Sequence, residues 1–183
     1  MDEMAAVKAS QAGDKAAFAI LIEMYHKNIY RFAYQCTGTH QDADDVCQET
    51  FLRAFDGIGK LRDGHRFRGW IFMIAANLAR QRIKEVRSEK KLTERVSADA
   101  ASELTEDEDC RPFERLSSGE RAVIIQERLR TMPEPMRSVA LLVLVEGFTQ
   151  KEAAGMLDFS EATVSRHLQA ARGWLRVKLQ DLV

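Results

Sequence analysis

The residues best placed to contact a ligand lie between positions 148 and 172, where two short helices are predicted around a tight turn. Thr149 and Glu152 have the spacing of a capping box that starts one helix, and Ser160 is an N-cap for a second. Asp158 lies between them and tolerates the left-handed conformation that such a turn needs. The spacing predicts a helix-turn-helix, with a small helical pair bearing a solvated face as the alternative.

The second helix of this pair has an apolar face and a polar face. At three- and four-residue spacing, the apolar face consists of Val164, Leu168, Ala171 and Leu175. The candidate DNA-binding residues are Ala162, Thr163, Ser165, Arg166 and Gln169. In the DNA major groove Arg pairs with guanine and Gln with adenine, so this polar face predicts reading of base edges.

Catalytic chemistry has little support in the sequence. It contains no nucleophile-base pair, and the glycines of residues 57–69 fit neither a phosphate loop nor a dinucleotide fingerprint. Cys36, His40 and Cys47 suggest a metal site, but a fourth ligand is missing, and with Cys110 the cysteines read better as ordinary thiols in a reducing compartment. We therefore expect no enzymatic activity, no metal or other cofactor and no small-molecule substrate.

Length and composition favour one domain, or two small helical domains. The chain has 183 residues, is 45% hydrophobic, and contains only three prolines to interrupt helices. No apolar run approaches the roughly 20 residues that span a bilayer, and the acidic start does not resemble a signal peptide. These features predict an all-α protein in the cytoplasm, without membrane insertion.

Charge is strongly segregated along the chain. Residues 65–96 contain nine Lys and Arg against three Asp and Glu, whereas residues 97–120 contain two against eight. The acidic block cannot bury enough apolar area to offset its ordering entropy, which predicts a flexible linker over residues 93–119. The predicted domains are therefore 1–92 and 120–183, and the linker is either a solubilising tether or a functional segment.

The first domain begins with a long amphipathic helix from Phe18 to Tyr34, which ends at Thr37-Gly38-Thr39. In the next helix Ala43, Val46, Cys47, Phe51 and Ala54 face inward. Asp45, Gln48 and Glu49 face outward. Spacing alone favours helix capping and solubility as the role of these polar side chains.

A glycine-containing loop is predicted from Phe55 to Arg66, followed by a helix from Phe67 to Arg87. The predicted apolar stripe of that helix is Trp70, Ile74, Leu78, Ala79 and Ile83. Its aromatic residues are interleaved with Arg, a pattern that suits single-stranded nucleic acid. We expect core packing for Trp70 and Phe72, and nucleic-acid contact for the arginines, including Arg66 and Arg68.

Two motifs of the first domain carry a family resemblance. Residues 42–51 (DADDVCQETF), and residues 67–71 (FRGWI) running into 74–77 (IAAN), resemble the first-domain motifs of extracytoplasmic-function sigma factors. The helix-turn-helix, preceded by residues 132–137 (MPEPMR), is similar to their second domain. The resemblance covers about residues 10–87 and 120–178, in the family's order and with its gap.

The resemblance implies an alternative sigma factor that binds core RNA polymerase, directs it to specific promoters and assists DNA opening. It implies that Asp45, Gln48 and Glu49 dock on the polymerase. It implies that the loop and the basic helix open and hold the minus-ten element, with contacts from Arg66, Arg68, Asn77, Arg80, Arg82 and Lys84. The helix after Ser160 would read the minus-thirty-five element, the linker would thread a basic channel, and an anti-sigma factor would inhibit the protein.

The chain departs from the family pattern at three positions. Gln81 stands where Asp is common, Asp158 where Gly is common, and Met132 where Leu usually precedes Pro. The first of these bears on the minus-ten preference. The competing hypothesis is a conventional DNA-binding regulator that dimerises on a symmetric operator and does not need polymerase.

Overall fold

The computed structural model describes residues 2–62, 64–96 and 118–180, and within these ranges the regular structure is helical with no strand. The helices are α1 (Glu3–Gln11), α2 (Lys15–Thr37), α3 (His40–Gly57), α4 (Phe67–Val96), α5 (Ser118–Thr131), α6 (Met136–Ala140), α7 (Gln150–Leu157) and α8 (Glu161–Gln180). The all-α class is confirmed. Most of the acidic linker lies outside the described residues, and α4 continues through Val96.

The N-terminal domain consists of α1 to α4 around a core centred on α2. The predicted stop of α2 is confirmed, because Gly38 adopts the left-handed conformation with φ 88° and its N–H donates to the Tyr34 carbonyl. The N-cap of α3 is Thr39, whose hydroxyl accepts the backbone N–H of Asp42 at 3.1 Å. The five residues predicted to face inward on α3 are all buried.

Helix α1 precedes the first helix that the spacing predicted. Its N-cap is Asp2, whose carboxylate accepts the N–H of Ala5 at 2.8 Å. Tyr25 of α2 donates its hydroxyl to the Glu3 carboxylate at 2.5 Å, which fixes α1 to the domain. Burial, followed by the hydrogen bond to Glu3, raises the pKa of Tyr25, so this hydroxyl remains a donor at neutral pH.

The stretch predicted as a loop from Phe55 to Arg66 is more ordered than its glycines suggested. Helix α3 continues to Gly57, and 3₁₀ turns follow over Ile58–Lys60 and Gly64–Arg66. The Gln11 side chain of α1 donates to the carbonyls of Ile58 and Leu61 at 3.2 and 2.6 Å. These hydrogen bonds from a helix distant in sequence order the segment, and sequence periodicity could not reveal them.

The stripe predicted for α4 packs on the core but is narrower than the face that this helix buries. Trp70, Ile74 and Ile83 are only half-buried. The buried residues of this helix are Phe67, Ile71, Phe72, Ala75, Ala76, Leu78 and Ala79. Helix α4 packs against α2 and α3 on one side and α7 on the other, so its buried face is wider than a single stripe.

The C-terminal domain contains the predicted helix-turn-helix in α7 and α8. Both bonds of the capping box form: the Thr149 N–H donates to the Glu152 carboxylate at 2.8 Å, and the Glu152 N–H donates to the Thr149 hydroxyl at 3.2 Å. Asp158 has φ 56° and ψ 47°, and the Ser160 hydroxyl accepts the N–H of Thr163 at 3.1 Å. The predicted capping box of α7, the left-handed turn residue and the N-cap of α8 are all confirmed.

The apolar face predicted for α8 packs inward, and α5 and α6 contact this helix. Val164, Leu168 and Ala171 of α8 are buried, and Leu175 is half-buried. Helices α5 and α6 lie on either side of the segment containing Pro133 and Pro135, and α6 continues into a π-helical turn over Leu141–Val145.

The two domains are packed together through a continuous apolar cluster, a point on which the sequence was silent. Phe72 of α4 lies 5.6 Å from the Phe32 ring in its own domain and 5.2 Å from the Phe148 ring in the other, both edge to face. The side chain of Phe72 is fully buried. Its ring therefore connects the cores of the two domains.

Thr149→Ala should destabilise the C-terminal domain by about 0.5–2 kcal/mol, because it removes an N-cap acceptor and half of the capping box. Urea unfolding followed by circular dichroism measures the change. Thr149→Ser should retain most of the stability, and Lys151→Ala, at an exposed position of the same helical turn, is the control. Equal losses for Thr149→Ala and Lys151→Ala would contradict a specific capping role.

Candidate nucleic-acid and polymerase-binding surfaces

The candidate DNA-reading surface lies at the start of α8. Ala162, Arg166 and Gln169 are exposed, whereas Thr163 and Ser165 are half-buried. The Thr163 hydroxyl is 2.9 Å from the Ser160 hydroxyl, so part of its hydrogen-bonding capacity is used within the cap. The structure thus presents a small, polar and cationic face on one side of α8, as the spacing predicted.

This face is longer than the predicted set. Arg172 and Arg176 are exposed and follow Gln169 at three- and four-residue spacing along α8. The sequence carried the same signal, because the helical period that selects Arg166 also selects these two arginines. They suit phosphate contact on the C-terminal side of the base-reading residues.

The candidate polymerase-binding surface lies on α3. Asp45 and Gln48 are exposed, and the half-buried Glu49 accepts a hydrogen bond from Arg53 Nε at 2.7 Å. Leu52 lies on the same helical face and is 54% exposed. The face therefore combines acidic and amide groups with an apolar side chain that composition alone did not single out.

The six candidate promoter contacts of the N-terminal domain divide into two groups. Arg66, Asn77 and Lys84 are exposed, and Asn77 Oδ1 accepts a hydrogen bond from Arg80 at 2.8 Å. The other three, Arg68, Arg80 and Arg82, are half-buried, and each makes an intramolecular contact. The structure does not present all six as one open surface.

Arg68 and Arg80 contact the C-terminal domain. Arg68 Nη2 donates to the backbone carbonyl of Glu146 at 2.5 Å, and its guanidinium lies 4.2 Å from the centre of the Phe148 ring. Arg80 Nη1 donates to the backbone carbonyl of Leu157 at the end of α7. In this conformation both guanidinium groups form hydrogen bonds that link the two domains.

Arg82 pairs within its own domain. Its Nε lies 2.5 Å from Oδ1 of Asp42, a side chain that also accepts the Thr39 hydroxyl at 2.7 Å. Burial raises the pKa of Asp42, but the hydrogen bonds from Thr39 and Arg82 and the Arg82 charge outweigh it and hold the pKa below its usual value. The pair fixes α4 to the start of α3.

Asp42→Asn should lower the free energy of unfolding by about 1.5–3 kcal/mol at neutral pH, the usual loss for a hydrogen bond to a charged group. Because the folded pKa lies below the unfolded value of about 3.9, the carboxylate stabilises the fold above about pH 4. That stabilisation is lost as pH falls through the folded pKa. Urea unfolding across pH 2–7 should show the two proteins converging in acid, with the exposed Asp44→Asn as control; a constant difference would contradict the assignment.

The described cysteines are buried free thiols. Burial raises the pKa of Cys36, and burial followed by the Asp44 charge raises that of Cys47 to about 11. His40 Nδ1 is 2.6 Å from the Tyr30 hydroxyl, and no group of metal-ligating side chains occurs among the described residues. Cys110 lies outside those residues. No described helix is long and apolar enough to cross a bilayer.

The helix-turn-helix with its exposed reading face, attached to a second helical domain, defines a two-domain DNA-binding protein. Residues 21–89 match the family model for sigma-70 region 2, and residues 115–175 match the model for sigma-70 region 4. The chain belongs to the sigma-70 family and, within it, to the extracytoplasmic-function sigma factors, which are transcription initiation factors.

One sequence relative agrees with this assignment along nearly the whole chain, and two solved structures share the fold. The extracytoplasmic-function RNA polymerase sigma factor SigW of Bacillus subtilis is 28% identical over 180 residues, covering 96% of each chain. Among solved structures, CnrH in complex with the cytosolic domain of CnrY has a TM-score of 0.66 at 23% identity, covering 97% of each chain. The sigma factor RpoE of Bartonella quintana, solved with the anti-sigma factor NepR, also has a TM-score of 0.66, at 18% identity, covering 89% of this chain and 96% of that one.

Proposed function

We propose that this sigma factor uses its two domains for separate parts of one promoter. The acidic face of α3, with Asp45, Gln48 and Glu49, docks on core RNA polymerase. The basic helix α4 and the preceding turns hold the opened minus-ten element, and α8 reads the minus-thirty-five element. One observation supports the proposal above all others. Arg166 and Gln169 are exposed on the second helix of a helix-turn-helix whose first helix begins with a complete capping box.

The chemistry of the α8 face supports base reading. A guanidinium forms two hydrogen bonds with guanine, a carboxamide forms two with adenine, and small residues such as Ala162 allow the helix to approach the bases. Arg172 and Arg176 extend the face with positive charge, which contributes affinity without sequence preference. Arg166 and Gln169 therefore determine sequence specificity, whereas Arg172 and Arg176 position the helix on the DNA backbone.

The distance between the two promoter elements requires the domains to separate. About 25 base pairs lie between their centres, which is about 85 Å at ~3.4 Å per step. A compact chain of 183 residues is about 40 Å across. Residues 93–119 are proposed as the linker between domains 1–92 and 120–183, and the 21 residues from 97 to 117 alone reach about 70 Å when extended.

The sigma factor itself catalyses no reaction, because polymerase performs the chemistry. Opening a base-pair step costs about 1.4 kcal/mol, and a good bidentate contact discriminates by about 1–3 kcal/mol. Residues 121–183 contain nine Lys and Arg against seven Asp and Glu, which is a weak positive charge for a DNA-binding domain. The isolated chain therefore binds duplex promoter weakly, and it functions in the cytoplasm together with polymerase.

An anti-sigma factor is the proposed inhibitory partner. CnrH and RpoE, which share the fold, were each solved with a partner protein, and the partner of RpoE is an anti-sigma factor. Such a partner would act by occupying surfaces that polymerase or promoter DNA uses in the active complex. The exposed apolar side chains of Leu144 and Val145 are candidate contacts for it.

Arg166→Ala should reduce transcription from promoters with a matched minus-thirty-five element by about 5- to 150-fold, which corresponds to the loss of one bidentate contact. Assembly with core polymerase should be unchanged. Run-off transcription and co-purification measure the two properties, and Lys178→Ala, a charge removal further along α8, is the control. A variant that transcribes all promoters like wild type would overturn the assignment of α8.

A further inference from the structure

Helix α1 contacts both of the 3₁₀ turns that precede α4. These turns, Ile58–Lys60 and Gly64–Arg66, together form the 3₁₀ pair. At the first turn, Gln11 Nε2 donates to the Ile58 carbonyl at 3.2 Å and to the Leu61 carbonyl at 2.6 Å. Both N–H groups of this amide are therefore used, and one side chain of α1 joins the two ends of the turn.

The second turn contacts α1 through its backbone. A Cβ atom at Gly64 would lie 3.0 Å from Met4 Sδ and 3.2 Å from Val7 Cγ1, both on α1. Val7 is fully buried, and its branched side chain has little freedom to move away. Glycine at position 64 therefore allows the turn to approach α1 more closely than a larger residue would.

Helix α1 is itself fixed to the residue that follows the 3₁₀ pair. The Glu3 carboxylate accepts the Tyr25 hydroxyl at 2.5 Å, and the Tyr25 ring lies 5.5 Å from the Phe67 ring. Phe67 is fully buried and is the first residue of α4. Helix α1 thus contacts the two turns directly, and the start of α4 through Tyr25.

The exposed side chains of this connection include three cations. Lys60, Arg62 and Arg66 are exposed, whereas the contacts of α1 with the 3₁₀ pair described above go to the backbone. Cationic side chains attract the phosphates of a single strand. Helix α1 therefore fixes the path of the backbone and leaves these side chains accessible to nucleic acid.

We propose that Gln11 is a positioning residue for minus-ten recognition, because it holds the 3₁₀ pair in one conformation before DNA binds. Glycine loses more conformational freedom on ordering than any other residue, and Gly57, Gly59 and Gly64 lie in or beside the pair. A segment that is already ordered does not incur this cost when the strand binds. The inference rests on the proposed function, because it assumes that these turns and α4 hold the opened minus-ten element.

Gln11→Met removes both hydrogen bonds and keeps the approximate length of the side chain. Gln11 is exposed, so the core should be unchanged. Hydrogen–deuterium exchange of the full-length protein should become about tenfold faster over residues 57–66, the effect of losing hydrogen bonds of ordinary strength, and stay unchanged in α7. Lys8→Met, at an exposed position one turn earlier on α1, is the matched control.

Transcription by core polymerase assembled with each variant tests the positioning role. The template is a pool of DNA fragments randomised over both promoter elements, and sequencing of the transcripts gives the preference at each element. With Gln11→Met, the advantage of the preferred minus-ten sequence over the average one should fall about tenfold, whereas the minus-thirty-five preference should be retained. A purely structural role would lower transcription from all templates equally and leave both preferences unchanged.

Gly64→Ala disturbs the same contact from the other side. Its methyl group meets Met4 and Val7, so the second turn should shift and the minus-ten preference should weaken as with Gln11→Met. Gly59→Ala is the matched control, because a Cβ atom at that position meets nothing within 4 Å. If circular dichroism shows that one of the two test variants fails to fold, the other decides the question.

Faster exchange over residues 57–66 with an unchanged minus-ten preference would overturn the inference, because the conformation of the turns would then not matter for recognition. A weakened preference without faster exchange would also overturn it, since Gln11 would then act elsewhere. Failure of the proposed function has a different signature. The wild-type chain would then not assemble with polymerase, or would show no preference at either promoter element.

Discussion

Asp45→Arg is expected to weaken assembly with core RNA polymerase more than 100-fold while leaving the fold unchanged. Asp45 is exposed on α3, so the substitution does not disturb the core. It places a cation where the proposed docking face presents a carboxylate, and like-charge juxtaposition at an interface costs several kcal/mol. A cost of about 3 kcal/mol weakens binding more than 100-fold, which fluorescence titration of labelled protein with core polymerase would measure.

The control for this prediction is Glu23→Arg, the same charge reversal at an exposed position on α2. It should retain nearly full affinity for polymerase, because it changes the net charge equally without altering the α3 face. Equal weakening by both variants would mean that polymerase responds to overall charge. Retained assembly with Asp45→Arg would show that α3 does not dock as proposed.

Phe72→Ala is expected to have the largest effect on stability. The ring is fully buried and contacts Phe32 within the N-terminal domain and Phe148 across the domain boundary. Loss of a buried phenyl group typically costs about 3–5 kcal/mol through lost transfer energy and the cavity left behind. Unfolding in urea should therefore begin at a much lower concentration, and the domains should separate more readily.

The control is Val177→Ala on α8, where the side chain is 60% exposed. Its effect on the free energy of unfolding should be within about 0.5 kcal/mol. Spin labels at positions 27 and 173 would show whether Phe72→Ala also separates the domains. A Phe72→Ala variant as stable as wild type would contradict the continuous apolar cluster that connects the two cores.

Local signals in the sequence predicted the helix-turn-helix almost residue by residue. Thr149, Glu152 and Ser160 each form a hydrogen bond with a residue three positions away, so the sequence spacing determines these bonds. The same applies to the exposure of Asp45 and Gln48, because an amphipathic helix places its polar residues outward whatever lies beyond it. Local rules were sufficient where both partners belong to the same turn or face.

Partners distant in the chain could not be predicted this way. Arg68 and Arg80 contact Glu146 and Leu157, which lie 78 and 77 residues further along the sequence. A basic helix with interleaved aromatic residues has the same pattern whether its arginines contact DNA or another domain. The structure shows the second arrangement for these two side chains, and DNA contact by them remains a prediction that depends on domain opening.

The additional buried residues of α4 have a related cause. The predicted stripe assumed one buried face, whereas α4 lies between two layers of helices and buries residues on adjacent faces. Phe67 packs on Tyr25 within its own domain, whereas Phe72 contacts Phe32 of α2 and also Phe148 of the C-terminal domain. Periodicity within one helix does not reveal how many neighbours the helix will have.

Sequencing of transcripts made by core polymerase with this chain, on fragmented genomic DNA of the source bacterium, tests the central claim most directly. We expect new start sites preceded by one shared sequence near minus ten and another near minus thirty-five, with the second preference lost in Arg166→Ala. Start sites identical to those made by core polymerase alone would contradict the account.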